Sequence, residues 1–416
     1  MERSWPEAPF PRMGERCRRE GGRDARGHAL RAGTAAEGLG SERAVGTGTA
    51  LVPCTCGELV QGILDGEPFL VSCPIDRYSQ VRVRVEGGLA PTPTLPQRER
   101  GALGTGGRGD AERPVAAGGS AGPRAGLRPT PMPEPSGRTR WPASARGPGD
   151  ARDPDPRRGG RVPGSTEKAR RAAALTLEHL GLGGVPFTVE VDCPVPASKG
   201  FGSSTADVVG AIAASAAAVG VSLDPLEVAR LAVAVEPSDG TMFPGLAVFD
   251  HRTAARWEPL GRTPPLLVAV LEFEGTVDTL EYNAGLDLAR LRSMEATHRE
   301  ALGMLRRGME EQRYQLIGLA TTASAVANQI LLSKPQLDEV IALGAEYHAL
   351  GVCAAHSGTA LGVLFAPEES WNARRLLDEA RRRLRGLQGG WVSRMVDGGA
   401  RIVNAGRASS IPGSES

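Results

Sequence analysis

The chain has little that would take it to a membrane, a metal cluster or a nucleic acid. No stretch of about eighteen apolar residues occurs, so no membrane span is expected. The first thirty residues contain no apolar run, and Glu2, Glu7, Glu15 and Glu20 argue against a transit peptide. A cytoplasmic location is therefore expected. The 49 basic and 48 acidic residues leave a formal net charge of +1, which provides no overall field to attract nucleic acid or lipid. The six cysteines (Cys17, Cys54, Cys56, Cys73, Cys193 and Cys353) lack the paired spacing of a zinc or disulfide framework. Cys54 and Cys56 would share one face of a strand, where packing is their expected role.

Glycine and proline are plentiful but unevenly placed. Residues 1–46 are rich in Arg, Gly and Glu, without a sustained apolar period. Residues 88–165 are denser still in Pro, Gly and Arg and nearly free of aromatic and β-branched residues. Such segments bury too little apolar surface to offset ordering entropy, so both are expected to be disordered, as is the tail 406–416. The excess of arginine in 88–165 leaves nucleic-acid binding as one alternative reading. About 290 residues remain, enough for a two-lobed domain with a sizeable core. An insert of this length between strand and helix costs roughly 2–3 kcal/mol of closure entropy, which a stable core tolerates.

Periodicity predicts strands at 49–53, 68–73 and 80–86, the last with Val81, Val83 and Val85 alternating. A helix over 167–180, a strand over 186–193 and a small-residue helix over 206–219 follow. Asp224-Pro-Leu-Glu227 predicts a helix start with an N-cap, a first-turn proline and a capping box. Strands at 245–250 and 266–272 precede three expected helices, 284–310, 312–332 and 335–349. Strands at 352–356 and 360–365, a helix over 372–386 and a closing hairpin of 390–396 with 400–403 complete the order. Strands and helices mix without strict alternation, which points to an α+β class.

The chemistry centres on Pro196-Ala197-Ser198-Lys199-Gly200-Phe201-Gly202-Ser203-Ser204-Thr205. It joins a strand to a small-residue helix. Gly200 and Gly202 remove side chains that would keep a polyanion from the backbone, and the serines add hydroxyls at the first turn. Free N–H groups and the positive helix end favour phosphate there. The run is not a Walker A loop, because Lys199 precedes the glycines. Nor is it a dinucleotide fingerprint, since Thr205 stands in place of the third glycine. A nucleotide-binding loop and a simple Gly-Ser helix cap remain the two readings of this run alone.

Pro-x-x-x-Gly-Phe-Gly-Ser-Ser, residues 196–204, resembles the phosphate loop of the GHMP small-molecule kinases. That family usually has Leu at Phe201 and Ala at Thr205. Three further stretches (53–62, 71–79 and 235–243), together with Phe249-Asp250-His251, are similar to the L-threonine kinases of cobalamin biosynthesis. The resemblance spans about residues 47–87 and 166–405. It implies an α+β, two-lobed fold, with a ribosomal-protein-like N-terminal lobe over 47–250 and an α/β-sandwich C-terminal lobe over 251–405. It also implies ATP and Mg2+ as cofactors, and a small hydroxy amino acid as acceptor.

Phosphoryl transfer needs a phosphate cradle, a metal, and a group that orients or deprotonates the acceptor. Residues 196–205 are the expected cradle. Ser204 and Glu236, 32 residues apart, are the expected metal ligands, with a solvated helix-end carboxylate as the alternative for Glu236. Asp239 follows Pro237 and precedes Gly240, on a turn able to face a cleft. It is read as general base, with an orienting acceptor or plain turn residue as alternatives. Lys199 is expected to partner a phosphate or the catalytic carboxylate, against a surface lysine. Glu58, Gln61, Asp76 and Tyr78 are candidate acceptor contacts, and Arg77 and Asp250 are further suppliers of charge. Ser357 and Gly358, with Thr359, are expected to brace the phosphate loop or touch substrate. His356 stands between an acid–base role and a structural one.

The expected activity is ATP-dependent phosphorylation of L-threonine, without nucleic-acid or membrane partners. Homoserine or an isoprenoid alcohol as acceptor, and a catalytically silent nucleotide-binding module, are the alternatives.

Overall fold

The computed structural model describes residues 45–86, 163–276 and 288–407. The three segments expected to lack order lie outside these ranges except at their inner ends, as does the start of the helix expected from residue 284. The class is α+β, as expected.

Two long strands organise the molecule. Strand β1 (Val45–Leu64) and strand β2 (Glu67–Glu86) form an antiparallel hairpin. The short strands read from the sequence are parts of it. Register shifts between Pro53 and Val60 hid that continuity, because they interrupt the alternation. The first half of β1 pairs with β10 (Arg401–Arg407), and the second half of β2 pairs with β3 (Phe187–Asp192). Val81, Val83 and Val85 are buried, as their alternation predicted.

Helices α1 (Pro163–His179) and α2 (Ser203–Ala218) cover this part of the sheet. The alanine-rich surface of α2 allows backbone-level contact: a Cβ on Gly48 would lie 2.0 Å from the Ala214 carbonyl oxygen. Helix α3 (Pro225–Val235) carries the foreseen capping box, with Asp224 accepting from the Leu226 and Glu227 amides and Glu227 accepting from that of Asp224. Such a cap contributes about 1 kcal/mol.

The remaining strands are β4 (Leu246–Phe249), β5 (Trp257–Gly261), β6 (Leu267–Phe273), β7 (Gly351–Ala354), β8 (Leu361–Phe365) and β9 (Leu387–Arg394). The main path runs β5-β4-β2-β1-β7-β8-β6-β9, all antiparallel. Its link from β1 to β7 is the single pair Glu58–Ala354, which matters for the site. The long helical region resolves into α4 (Leu288–Ser293), α5 (Glu295–Glu310), α6 (Tyr314–Ala327), a 3-10 turn (Asn328–Ile330) and α7 (Leu337–Glu346). Helix α8 (Ser370–Arg383) packs with α7 over β6–β8, burying Leu337, Val340, Leu343, Leu376 and Leu377.

The expected closing hairpin does not form. Strand β9 pairs with β6 and β10 with β1, so the intervening chain crosses the sheet. Bridges from Met395 to Ile75 and from Gly398 to Gly245 hold that crossing. The two strands found better partners than each other, a choice that local alternation does not encode.

Candidate active site

The run from Ser198 to Thr205 lines an open cleft of about 470 Å3, together with Glu58, Glu236, Pro237, Asp239, His356 and Ser357. Pro196, Ala197 and Lys199 are not among the lining residues. Ser198, Gly200 and Gly202 have φ of 60°, 89° and 61°. Left-handed residues at alternate positions give the curled backbone that aims successive N–H groups at an anion. Gly202 is the N-cap of α2 and offers no side-chain cap, so the helix start stays available to a ligand.

Two distant segments hold the loop. The Thr55 amide donates to the Phe201 carbonyl at 2.9 Å, and the Gly57 amide to that of Gly200 at 3.3 Å. The Thr359 and Ala360 amides both donate to the Lys199 carbonyl, at 3.1 and 2.9 Å. A Cβ on Gly358 would lie 2.3 Å from the Lys199 carbonyl carbon, so that approach requires glycine. The 357–359 turn thus braces the loop, one of its two expected roles, while Ser357 also lines the cleft. Phe201 is buried against Trp391, ring centroids 5.3 Å apart, and anchors the loop from below.

Ser204 and Glu236 meet as foreseen: the serine hydroxyl donates to Glu236 Oε1. Lys168 from α1, which nothing in the local sequence singled out, donates to Glu236 Oε2 at 2.7 Å and to Ser204 Oγ at 3.3 Å. Glu236 is 3 % exposed, so this is an almost dry carboxylate with a cation beside it. A hydroxyl and a carboxylate are hard oxygen donors of the kind Mg2+ takes from protein when phosphates supply the rest. The residues present fit that ion.

Asp239 faces the same cleft. Its Oδ2 accepts from Thr55 Oγ1 at 3.3 Å, and its amide donates to Thr205 Oγ1 at 3.1 Å. Thr205 therefore fixes the Asp239 turn to α2. A Cβ on Gly202 would lie 2.6 Å from Asp239 Oδ2. Burial, and to a smaller degree the charge of Glu236, pushes the Asp239 carboxyl up to about 6, against the pull of Thr55. A carboxylate poised there is ionised at neutral pH yet basic enough to take a proton.

Glu58 sits at the register shift of β1, 4 % exposed, with Oε2 lacking a hydrogen bond among the described residues. Burial raises its carboxyl well above the usual range, and Asp239 adds to this, while Lys334 and the His356 backbone draw it down. Gln61 Oε1 lies 2.5 Å from His356 Nδ1, and its Nε2 donates to the Ala354 carbonyl at 3.3 Å. That orientation makes Nδ1 the proton-bearing nitrogen of His356. Burial, with His251, Lys334 and Arg252 nearby, keeps the imidazole neutral by lowering its pKa far below the ordinary value.

Five expected contacts lie elsewhere. Lys199 is turned away from the cleft: its ammonium donates to the Phe273 carbonyl at 2.6 Å and lies 3.8 Å from Glu272. The strong acceptors at the end of β6 capture it, so it fixes the loop rather than a phosphate. Asp76 accepts from the Arg394 amide at 3.0 Å, and Tyr78 lies under Arg401, 4.5 Å from the guanidinium carbon. Asp250 closes its own turn, accepting from the Arg252 and Thr253 amides. Arg77 stacks on Trp391 at 5.6 Å. Of the charged candidates for the acceptor pocket, only Glu58 enters the cleft.

Residues 167–245 match the family described as the GHMP kinases N terminal domain, a span that contains the phosphate loop, Glu236 and Asp239. In this span the chain is similar to the GHMP kinase superfamily. The chain is also similar to the L-threonine kinase of Salmonella typhimurium, 29 % identical over 315 residues that cover 76 % of this chain and 82 % of that protein. Among solved structures, the homoserine kinase of Cytophaga hutchinsonii superposes with a TM-score of 0.55 at 14 % identity, covering 89 % of this chain and 100 % of that one. The mevalonate diphosphate decarboxylase of Staphylococcus aureus gives 0.56 at 14 % identity, covering 86 % and 98 %. These two likenesses show the fold. No described helix is long and apolar enough to cross a membrane.

Proposed function

We propose that this protein transfers the γ-phosphoryl group of ATP to the hydroxyl of L-threonine, giving O-phospho-L-threonine and ADP. The observation that carries the reading is the meeting of three parts in one cleft: the loop 198–205, the Ser204–Glu236 pair and Asp239. The similarity to an L-threonine kinase over most of both chains supports the choice of acceptor.

In this mechanism the backbone amides of 198–205 hold the ATP phosphates at the start of α2. Ser204 and Glu236 would hold Mg2+, which supplies neutralisation of phosphate charge when bound. Lys168 pairs with Glu236 and adds positive charge at the same place. Asp239 accepts the proton of the threonine hydroxyl as its oxygen attacks the γ-phosphorus. The new O–P bond forms as the bond to the β,γ-bridging oxygen breaks, and the electron pair leaves on ADP. Thr55 and Thr205 hold Asp239 in position through its carboxylate and its amide. A cytoplasmic location, and supply of the product to the aminopropanol arm of cobalamin synthesis or salvage, belong to the same proposal.

The test is 31P NMR of the protein with MgATP and, separately, L-threonine, L-homoserine, L-serine and mevalonate. The strongest phosphomonoester signal is expected with L-threonine. A stronger signal with another alcohol would move the acceptor while leaving the kinase reading. Tight ATP binding without any phosphorylated product would replace the kinase with a nucleotide-binding module.

A further inference from the structure

We infer that Glu58 and Lys334 form a two-point charge clamp that selects an α-amino acid as acceptor, Glu58 taking the ammonium and Lys334 the carboxylate. This inference rests on the acceptor class proposed above and names the residues that would decide it.

The cleft and a smaller recess share one wall, His356. The recess, about 200 Å3, is lined by Asn328, Gln329, Leu332 and Lys334, with Ala325 and the β7 end. Glu58 lines the cleft, and Lys334 lines the recess. Both are nearly dry, at 4 % and 6 % exposure. Lys334 is set in place by its backbone rather than its charge. Its amide donates to Gln329 Oε1 at 2.7 Å, and its carbonyl accepts from Gln329 Nε2 at 3.0 Å.

The two charges do not pair: no Lys334–Glu58 contact falls within the 4.0 Å of an ion pair. Their influence on each other is electrostatic, at longer range. A dry cation and a dry anion, each facing open space, are costly unless something charged lies between them. The free Glu58 Oε2 is the clearest sign, because buried carboxylate oxygens normally have partners. Burial lowers the Lys334 ammonium to about 8 and raises Glu58, so each charge is held weakly until a counter-charge arrives.

The neighbouring amide side chains are already committed. Asn328 Nδ2 donates to the Gln61 and Ser324 carbonyls, at 3.2 and 2.8 Å, and Gln61 is engaged by Ala354 and His356. They shape the wall and leave the charges to Glu58 and Lys334. An α-amino acid carries both complementary charges next to each other. With its ammonium at Glu58 and carboxylate at Lys334, a side-chain hydroxyl is left for Asp239 in the same cleft.

The test compares kcat/KM of the full chain for L-threonine, (R)-1-aminopropan-2-ol and (R)-3-hydroxybutanoate, which lack the carboxylate and the ammonium respectively. For Lys334→Met, kcat/KM for L-threonine should fall about 10–100-fold, mainly through KM, as expected for loss of a charged hydrogen bond. Turnover of the aminopropanol should fall far less than that of L-threonine, and the KM for ATP should hold. Lys334→Arg should recover part of the loss. Glu58→Gln should show the mirror pattern, losing L-threonine while retaining 3-hydroxybutanoate. An unchanged threonine-to-aminopropanol ratio in Lys334→Met, with normal ATP binding, would overturn the clamp and leave the kinase reading intact. If wild type prefers L-homoserine, the threonine reading fails and the same ratio, taken against 3-aminopropan-1-ol, still decides the clamp. A wild type that prefers mevalonate, which has no ammonium, overturns both.

Discussion

Replacing Asp239 by asparagine should slow the enzyme and stabilise the fold at the same time. The side chain keeps its shape, and its oxygen can still accept from Thr55. What it loses is the ability to take a proton, so kcat should fall about 10²–10⁴-fold. The stability effect follows from the raised carboxyl. Its folded-state value of about 6 lies above the 3.8 of an unperturbed Asp, so the folded protein binds the proton more tightly than the unfolded chain. Stability is therefore lost as pH rises from near 4 through 6, and the ionised form carries up to about 3 kcal/mol of destabilisation at pH 7. The side chain faces an open cleft, so screening by water reduces this to about 1–2 kcal/mol. In a domain of this size Asp239→Asn should raise Tm by roughly 2–6 °C at pH 7.5. The gain should shrink to about half at pH 5, where the native aspartate is mostly protonated. Thermal melts without nucleotide at the two pH values, beside a coupled ADP-release assay, measure both. A variant with full activity would remove the base role, and one that melts lower at neutral pH would refute the electrostatic reasoning.

Three other substitutions test separate parts of the argument. Glu236→Gln should reduce kcat with MgATP by about 10²-fold or more and shift the Mg2+ dependence to higher concentration, read by metal titration of the rate. Gly202→Ala puts a methyl 2.6 Å from Asp239 Oδ2 at a residue with φ of 61°. It should cost at least about 1 kcal/mol by denaturant titration and lower kcat, because the carboxylate must move. Asp224→Ala removes the α3 cap and should cost about 1 kcal/mol while leaving kcat/KM unchanged, which distinguishes folding from chemistry. If Asp224→Ala instead lowered activity as strongly as Glu236→Gln, loss of activity could not be assigned to the cleft residues alone.

Much of this site was readable along the chain, because its parts are local. The loop 196–205 is a consecutive run with its glycines and serines at a strand-to-helix junction. Glu236 and Asp239 flank a proline that ends α3, and the α3 start is a four-residue pattern with a known geometry. These features depend on backbone conformation within a few residues, which the sequence dictates directly. The continuity of β1 and β2 was hidden, since the register shifts around Thr55 and Glu58 break the period by which strands are recognised. The side-chain partners were hidden for a different reason. Lys168 and Glu236 are 68 residues apart, Lys199 and Phe273 are 74, and Gln61 and His356 are 295. Each pairing is set by how the sheet brings its strands together, and no local pattern reports that. Lys199 shows the consequence: beside the phosphate loop in sequence, it is drawn to β6 because a carbonyl and a carboxylate stand there in space. The sequence alone determined the class of fold, the loop at the start of α2 and three residues that meet in the cleft. Only the tertiary structure decided which charged groups share the cleft, because a buried charge is placed by its through-space partners rather than by its neighbours in the chain.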